Sequence, residues 1–89
     1  MPRTTRKPRK HPYITRKSHG CAARAFVRGT RMKVADIATL WVRKGWSEDE
    51  LESYYQLTMA QIHDALSYYY ENQSEIDLEI DEGEKLWPG

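Results

Sequence analysis

Residue types that could perform catalysis or hold a metal are scarce in this chain: His11, His19, Cys21 and His63 are the polar candidates. None of them stands at an established ligand spacing. His19-x-Cys21, next to a basic segment, hints at a metal but has no motif around it. Cys21 would need a partnered histidine on a rigid element to act as a nucleophile; a small buried residue is the simpler reading. As the single cysteine it forms no disulfide within the chain, which suits a reducing cytosol. The residues therefore predict a protein that is not an enzyme, with no cofactor, no metal and no small-molecule substrate.

The chemistry that is abundant is charge. Arg3, Arg6, Lys7, Arg9, Lys10, Arg16, Lys17, Arg24, Arg28, Arg31 and Lys33 all precede the first acid, Asp36. Beyond Lys33 only Arg43, Lys44 and Lys85 face all 13 acids, so the formal net charge of +1 conceals a basic segment followed by an acidic one. Residues 1–12, with Pro2, Pro8 and Pro12 and no apolar periodicity, read as a disordered basic arm. Such an arm suits phosphate backbones or a narrow minor groove, because Lys and Arg release counterions on binding. A solubilising tail is the plainer alternative. The acid-free N-terminus superficially resembles a transit peptide, but its prolines and lack of an apolar face argue against one. No apolar run approaches the roughly 20 residues that span a membrane, and no secretory segment is evident. A cytoplasmic location is the expectation.

The elements that must position these charges announce themselves through their ends. Ser47 with Glu50, and Thr58 with Gln61, each form a capping box, in which side chain and backbone satisfy each other across the first helical turn. Trp46 with Leu51, and Leu57 with Ile62, are spaced as hydrophobic staples. Two such starts within three helical turns predict a short helix, a tight corner and a longer helix, which is helix-turn-helix geometry. Ahead of them, Val34, Ile37, Ala38 and Trp41 give one apolar face to a helix over 34–44, widened by Leu40 and Val42 and ended by Gly45. The second helix, to about Tyr55, is expected to bury Leu51, Tyr54 and Tyr55. The third, to about Ser74, is expected to bury Ile62, Ala65, Leu66 and Tyr69. Tyr13–Thr15, Ala25–Val27 and Arg31–Val34 read as short strands, with a turn at Ser18–Gly20 and a tight connection at Gly29-Thr30.

After Tyr70 two patterns compete. Ile76, Leu78 and Ile80 alternate with acids as in a strand, while Ile76 and Ile80 also continue the helical stripe from Tyr69. The expected organisation is a basic arm (1–12), a β element plus three-helix domain (13–74) and a conditionally ordered acidic tail (75–89). Ile76, Leu78, Ile80 and Trp87 are the candidate partner-binding residues of that tail.

P-Y-I-T-R at 12–16, Cys21, F-V-R-G-T-R-M-K-V at 26–34, the helix and cap through W-S-E-D-E-L at 46–51, and L-T-M-A-Q-I-H-D-A-L at 57–66 occur in that order. Together they resemble domain-of-unknown-function family 433, over roughly residues 12–70. The resemblance implies a mainly α, trihelical homeodomain-like helix-turn-helix core with a short N-terminal β element, usually dimeric. It further implies a VapB-type antitoxin acting beside a PIN-like ribonuclease toxin. Ala22 and Ala23 depart from the glycines of the family pattern, and Ala25 and Lys33 from its prolines. Both the arm and the tail lie outside the shared region.

In a helix-turn-helix the second helix enters the major groove, yet no Lys or Arg occurs between Lys44 and Lys85. Gln61 has the groups to read adenine, but its side chain is also wanted by the capping box. The expected nucleic-acid-binding residues are therefore the eleven bases from Arg3 to Lys33, with Gln61 the one candidate on the helix. The tyrosines at 54, 55, 68, 69 and 70 fit core and interface positions better than base stacking. Taken with the resemblance, the expectation is an antitoxin-like homodimer that regulates transcription, with DNA at its basic region and, as the resemblance alone implies, a PIN-like toxin at its C-terminal part. A protein-interaction module without a DNA site, or an RNA-binding protein, remains the alternative.

Overall fold

A computed structural model describes residues 10–19 and 22–86, with the side chains of 19, 22 and 84–86 left aside. The chain enters as an antiparallel hairpin, β1 (Ile14–His19) and β2 (Ala22–Val27), paired from Ile14↔Val27 to His19↔Ala22. Four helices follow: α1 (Val34–Ala38), α2 (Glu48–Tyr55), α3 (Met59–Glu71) and α4 (Gln73–Leu86). Among the described residues no helix is long and apolar enough to cross a membrane.

Local chemistry sets most of the boundaries. Val27 N–H donates to Met32 C=O at 2.8 Å, closing a turn in which Gly29 holds φ +80°. Only an isolated bridge, Phe26 with Lys33, stands where the third strand was expected. Met32–Lys33 instead delivers the chain into α1, whose first residue, Val34, is already buried. Ser18 and His19 are strand residues rather than a turn, so the hairpin is longer than its β-branched positions suggest. After Ala38 the helix continues as a π-helical turn, Thr39–Arg43, with Thr39 Oγ1 donating to Ala35 C=O at 2.8 Å. Gly45, at φ +72°, then reverses the chain, a conformation open to glycine without strain.

Both capping boxes form. Glu50 Oε1 accepts from Ser47 N–H at 2.8 Å and Ser47 Oγ accepts from Glu50 N–H at 3.2 Å. Gln61 Oε1 accepts from Thr58 N–H at 2.8 Å and Thr58 Oγ1 accepts from Gln61 N–H at 3.1 Å. The corner between them turns at Gln56, which adopts φ 57°.

The core is built from Ile14 and Val27 of the hairpin, Val34, Ile37 and Ala38 of α1, Leu51 of α2, and Leu57 from the corner. Ile62, Ala65, Leu66 and Tyr69 of α3 complete its centre. Tyr54 is not part of it: 65% of its surface is exposed, as is 47% of Val42. The larger departure is at the C-terminal end. The third helix stops at Glu71 instead of running to Ser74, and Asn72 breaks it, with Nδ2 donating to Tyr68 C=O at 3.0 Å. The acidic segment then forms α4, and Ile76 and Ile80, one turn apart, are 2% and 6% exposed in the same core. The helical reading of 76–80 prevails because it alone puts both isoleucines on one face while Leu78 remains outside.

Truncating Ile62 or Leu66 to Ala should cost about 2–5 kcal/mol in chemical denaturation, and Ile76→Ala should fall in the same range because α4 shares that core. Ser47→Ala and Thr58→Ala should each cost about 1 kcal/mol as lost caps.

Candidate nucleic-acid interface

The fold brings the basic N-terminal region against the acidic C-terminal one, and this decides which predicted cations remain available. Arg16, on β1, pairs through Nη2 with Glu75 Oε2 of α4 at 2.8 Å and also donates to Tyr68 OH. Arg24, on β2, reaches Glu79 at 3.4 Å and Glu82 at 3.7 Å, both on α4. Arg28 donates to Pro12 C=O at 3.0 Å and Ile14 C=O at 3.1 Å, bracing the start of the hairpin. Arg43 completes the series from the other side, at 2.8 Å from Asp81. Partial burial of Glu79 pushes its pKa up, against the pull of Arg24 and Lys33, so desolvation outweighs the pairing there.

The other hairpin-side cations are less committed. Lys17 lies 4.8 Å over the Phe26 ring with its ammonium 3.3 Å from Thr30 C=O. Arg31 is exposed and Lys33 half-buried, and among the described residues neither forms a salt bridge. Lys10 is exposed and 3.2 Å from Glu71. Arg3, Arg6, Lys7 and Arg9 lie outside the described residues. Gln61 is held in its capping box, so its amide oxygen is engaged with the backbone rather than offered to a base.

The helix pair α2–α3 presents little to a phosphate. Glu48, Asp49 and Glu50 occupy the first turn of α2, and His63 of α3 is bound to Glu48 at 2.7 Å. Beside them an open cleft of about 510 Å³ is lined by Trp46, Asp49, Glu50, Ser53 and Tyr54. Trp46 and Tyr54 meet there edge to face, 5.1 Å between centroids.

One cluster has no counterpart in the sequence reading. His11, at the root of the arm, places Nδ1 2.7 Å from Asp64 Oδ1 and Nε2 2.8 Å from Glu71 Oε1. Tyr13 N–H donates to the other Asp64 oxygen at 2.8 Å. Asp64 is the buried acid of α3, at 9% exposure. Its partners are 53 and 51 positions away in the chain, so no spacing rule reveals them; the one available signal was a carboxylate beside Ala65 and Leu66 on a helix, calling for a partner.

Of the candidate partner-binding residues, Ile76 and Ile80 are committed to the chain's own core, Leu78 is exposed, and Trp87 lies outside the described residues. Cys21 also lies outside them, and the side chain of His19 is not described. Among the described residues no group of three or more His, Cys, Asp or Glu is arranged to hold a metal ion.

Comparison with curated proteins and with solved structures returns no match. A family model does match, across residues 14–69, from the first residue of β1 nearly to the end of α3. The matched span holds the hairpin, both capping boxes and most of the core, and leaves out the arm and α4. The chain belongs to the family described as protein of unknown function DUF433.

Proposed function

We propose that this protein is an antitoxin-like, nucleic-acid-binding member of its family, with DNA as the ligand of its basic N-terminal region. The observation that carries this reading is the distribution of cations after folding. Arg16, Arg24 and Arg28 are tied to the chain's own acids and carbonyls. Phosphate contact then falls to Arg3, Arg6, Lys7, Arg9 and Lys10, with Lys17, Arg31 and Lys33 as a secondary edge. Counterion release makes such contact strongly salt-dependent and only modestly sequence-specific. In this reading α1–α3 act as a homeodomain-like, trihelical frame, and the helix-turn-helix of α2 and α3 positions the arm instead of entering the major groove. Dimerisation would present two arms with a fixed spacing.

The second partner, a PIN-like ribonuclease toxin at the C-terminal part, rests on the family resemblance. With Ile76 and Ile80 inside, its contact on this chain is the outer face of α4 around Leu78, 59% exposed. The acidic-aromatic cleft at Trp46 and Tyr54 favours a different reading, a protein-interaction module that takes a cationic segment and binds no specific DNA site. RNA binding by the arm is the other alternative.

Titration of labelled duplex DNA and single-stranded RNA across a salt series separates these readings. Deleting residues 1–9 removes four cations (Arg3, Arg6, Lys7 and Arg9) and should flatten the slope of log K against log salt on DNA by about 3–4. Arg24→Gln, by contrast, should leave the slope nearly unchanged. An unchanged slope after the deletion overturns the arm as the phosphate-binding element. Tighter binding to RNA than to DNA moves the reading to RNA.

A further inference from the structure

An imidazole whose two nitrogens both face carboxylate oxygens at hydrogen-bonding distance is in a well-defined chemical state. Both nitrogens donate only in the imidazolium form; the neutral ring has one N–H and one lone pair. His11 is in this position, with Asp64 at 2.7 Å on Nδ1 and Glu71 at 2.8 Å on Nε2. Its side chain is 12% exposed, so water does not replace either partner readily. The Tyr68 ring meets it edge to face at 5.3 Å, and Lys10 shares Glu71.

We propose that His11 is a pH-operated clasp, which fixes the root of the basic arm to α3 as an imidazolium and releases its Glu71 limb on losing one proton. The two limbs are unequal, and this sets the order of release. Asp64 is buried and holds Tyr13 N–H as well, so losing the Nδ1 proton would leave a lone pair against a desolvated carboxylate. Glu71 is 39% exposed and retains Lys10 as a partner. The proton therefore leaves Nε2, and the neutral ring keeps Nδ1–H on Asp64. Tyr13 stays attached through Asp64, while of the three ties that Lys10 and His11 make to α3 the His11–Glu71 one is lost.

The charged groups around the clasp agree in sign. Partial burial of the ring disfavours the imidazolium, but the hydrogen bonds to Glu71 and Asp64 together outweigh it and raise the His11 pKa above its ordinary 6.5. Reciprocally, the hydrogen bond from His11 holds the Glu71 carboxyl below its usual range. Arg16, the nearest guanidinium on β1, is drawn off by Glu75 of α4 and by Tyr68 OH. His63, one residue before Asp64, is engaged with Glu48 of α2. Because the folded pKa is the raised one, the clasp's contribution is complete below the unfolded value near 6.5 and fades as pH rises through the folded value. The clasp does not depend on what the arm binds. If the arm binds nucleic acid, release also uncovers the Glu71 charge beside the arm and weakens that binding with rising pH.

The test is imidazole nitrogen NMR on the full chain from about pH 5 to about pH 9, with Glu71→Gln and Asp64→Asn for comparison. His11 should titrate above 6.5, and its neutral form should carry the proton on Nδ1. Glu71→Gln should lower the midpoint while the Tyr13 amide stays protected from exchange. Should Asp64→Asn disturb the fold, Glu71→Gln suffices. A His11 midpoint at or below the ordinary value, an Nε2–H neutral form, or a midpoint indifferent to Glu71→Gln each overturns the proposal. Nucleic-acid binding that fails to follow a confirmed clasp would count against the arm's function and not against the clasp.

Discussion

The structure depends on Ile76 and Ile80. Among the described residues they are the only apolar side chains by which the acidic segment enters the core, at 2% and 6% exposure, and the ion pairs that Arg16, Arg24 and Arg43 make with α4 follow from that seating. Magnitudes show which effect leads. Burying an isoleucine side chain contributes about 1.5–3 kcal/mol, whereas a solvent-exposed ion pair contributes about 0–1 kcal/mol. Arg16–Glu75 and Arg43–Asp81 are both substantially exposed, so they orient α4 more than they hold it. A domain of 89 residues has little core to spare, and α4 supplies a wall that three helices and a two-stranded hairpin leave open.

Charge segregation in the sequence thus has two roles in the fold. Part of the basic region is the electrostatic complement of α4, which explains why Arg16 and Arg24 each pair with acids of that helix. The remainder, from Arg3 to Lys10, precedes the first strand and is the density of charge that the proposed nucleic-acid contact draws on. His11 stands at the border of these two sets. Its clasp with Asp64 and Glu71 marks where the chain passes from arm to domain.

What the sequence made legible was local. Both capping boxes, the glycine that ends the first helix, and the buried stripe of α3 could be read from spacing, because each depends on residues within about two turns of one another. The third strand failed because Arg31–Val34 has strand-forming residues but no neighbour to pair with beyond the one bridge to Phe26. α4 was ambiguous because Ile76, Leu78 and Ile80 satisfy period two, and only a tertiary surface could favour 76 and 80 over 78. Tyr69 OH on Asp77 at 2.7 Å and Arg43 on Asp81 then fix the helix's rotation, and neither contact is visible in a local window. Of the candidate interface, the cations were identifiable by type, but which of them the fold would neutralise was not.

The central claim is that the acidic segment is a helix held in the chain's own core by apolar burial, with charge in a subordinate role. Amide hydrogen exchange of residues 73–86, measured in about 0.05 M and about 0.5 M salt, tests it most directly, since ion pairs at the surface are screened over that range. The account predicts that the amides around Ile76 and Ile80 are protected to a degree similar to those of α3, and that the protection survives high salt. Exchange at free-chain rates, or protection that disappears at high salt, would contradict it.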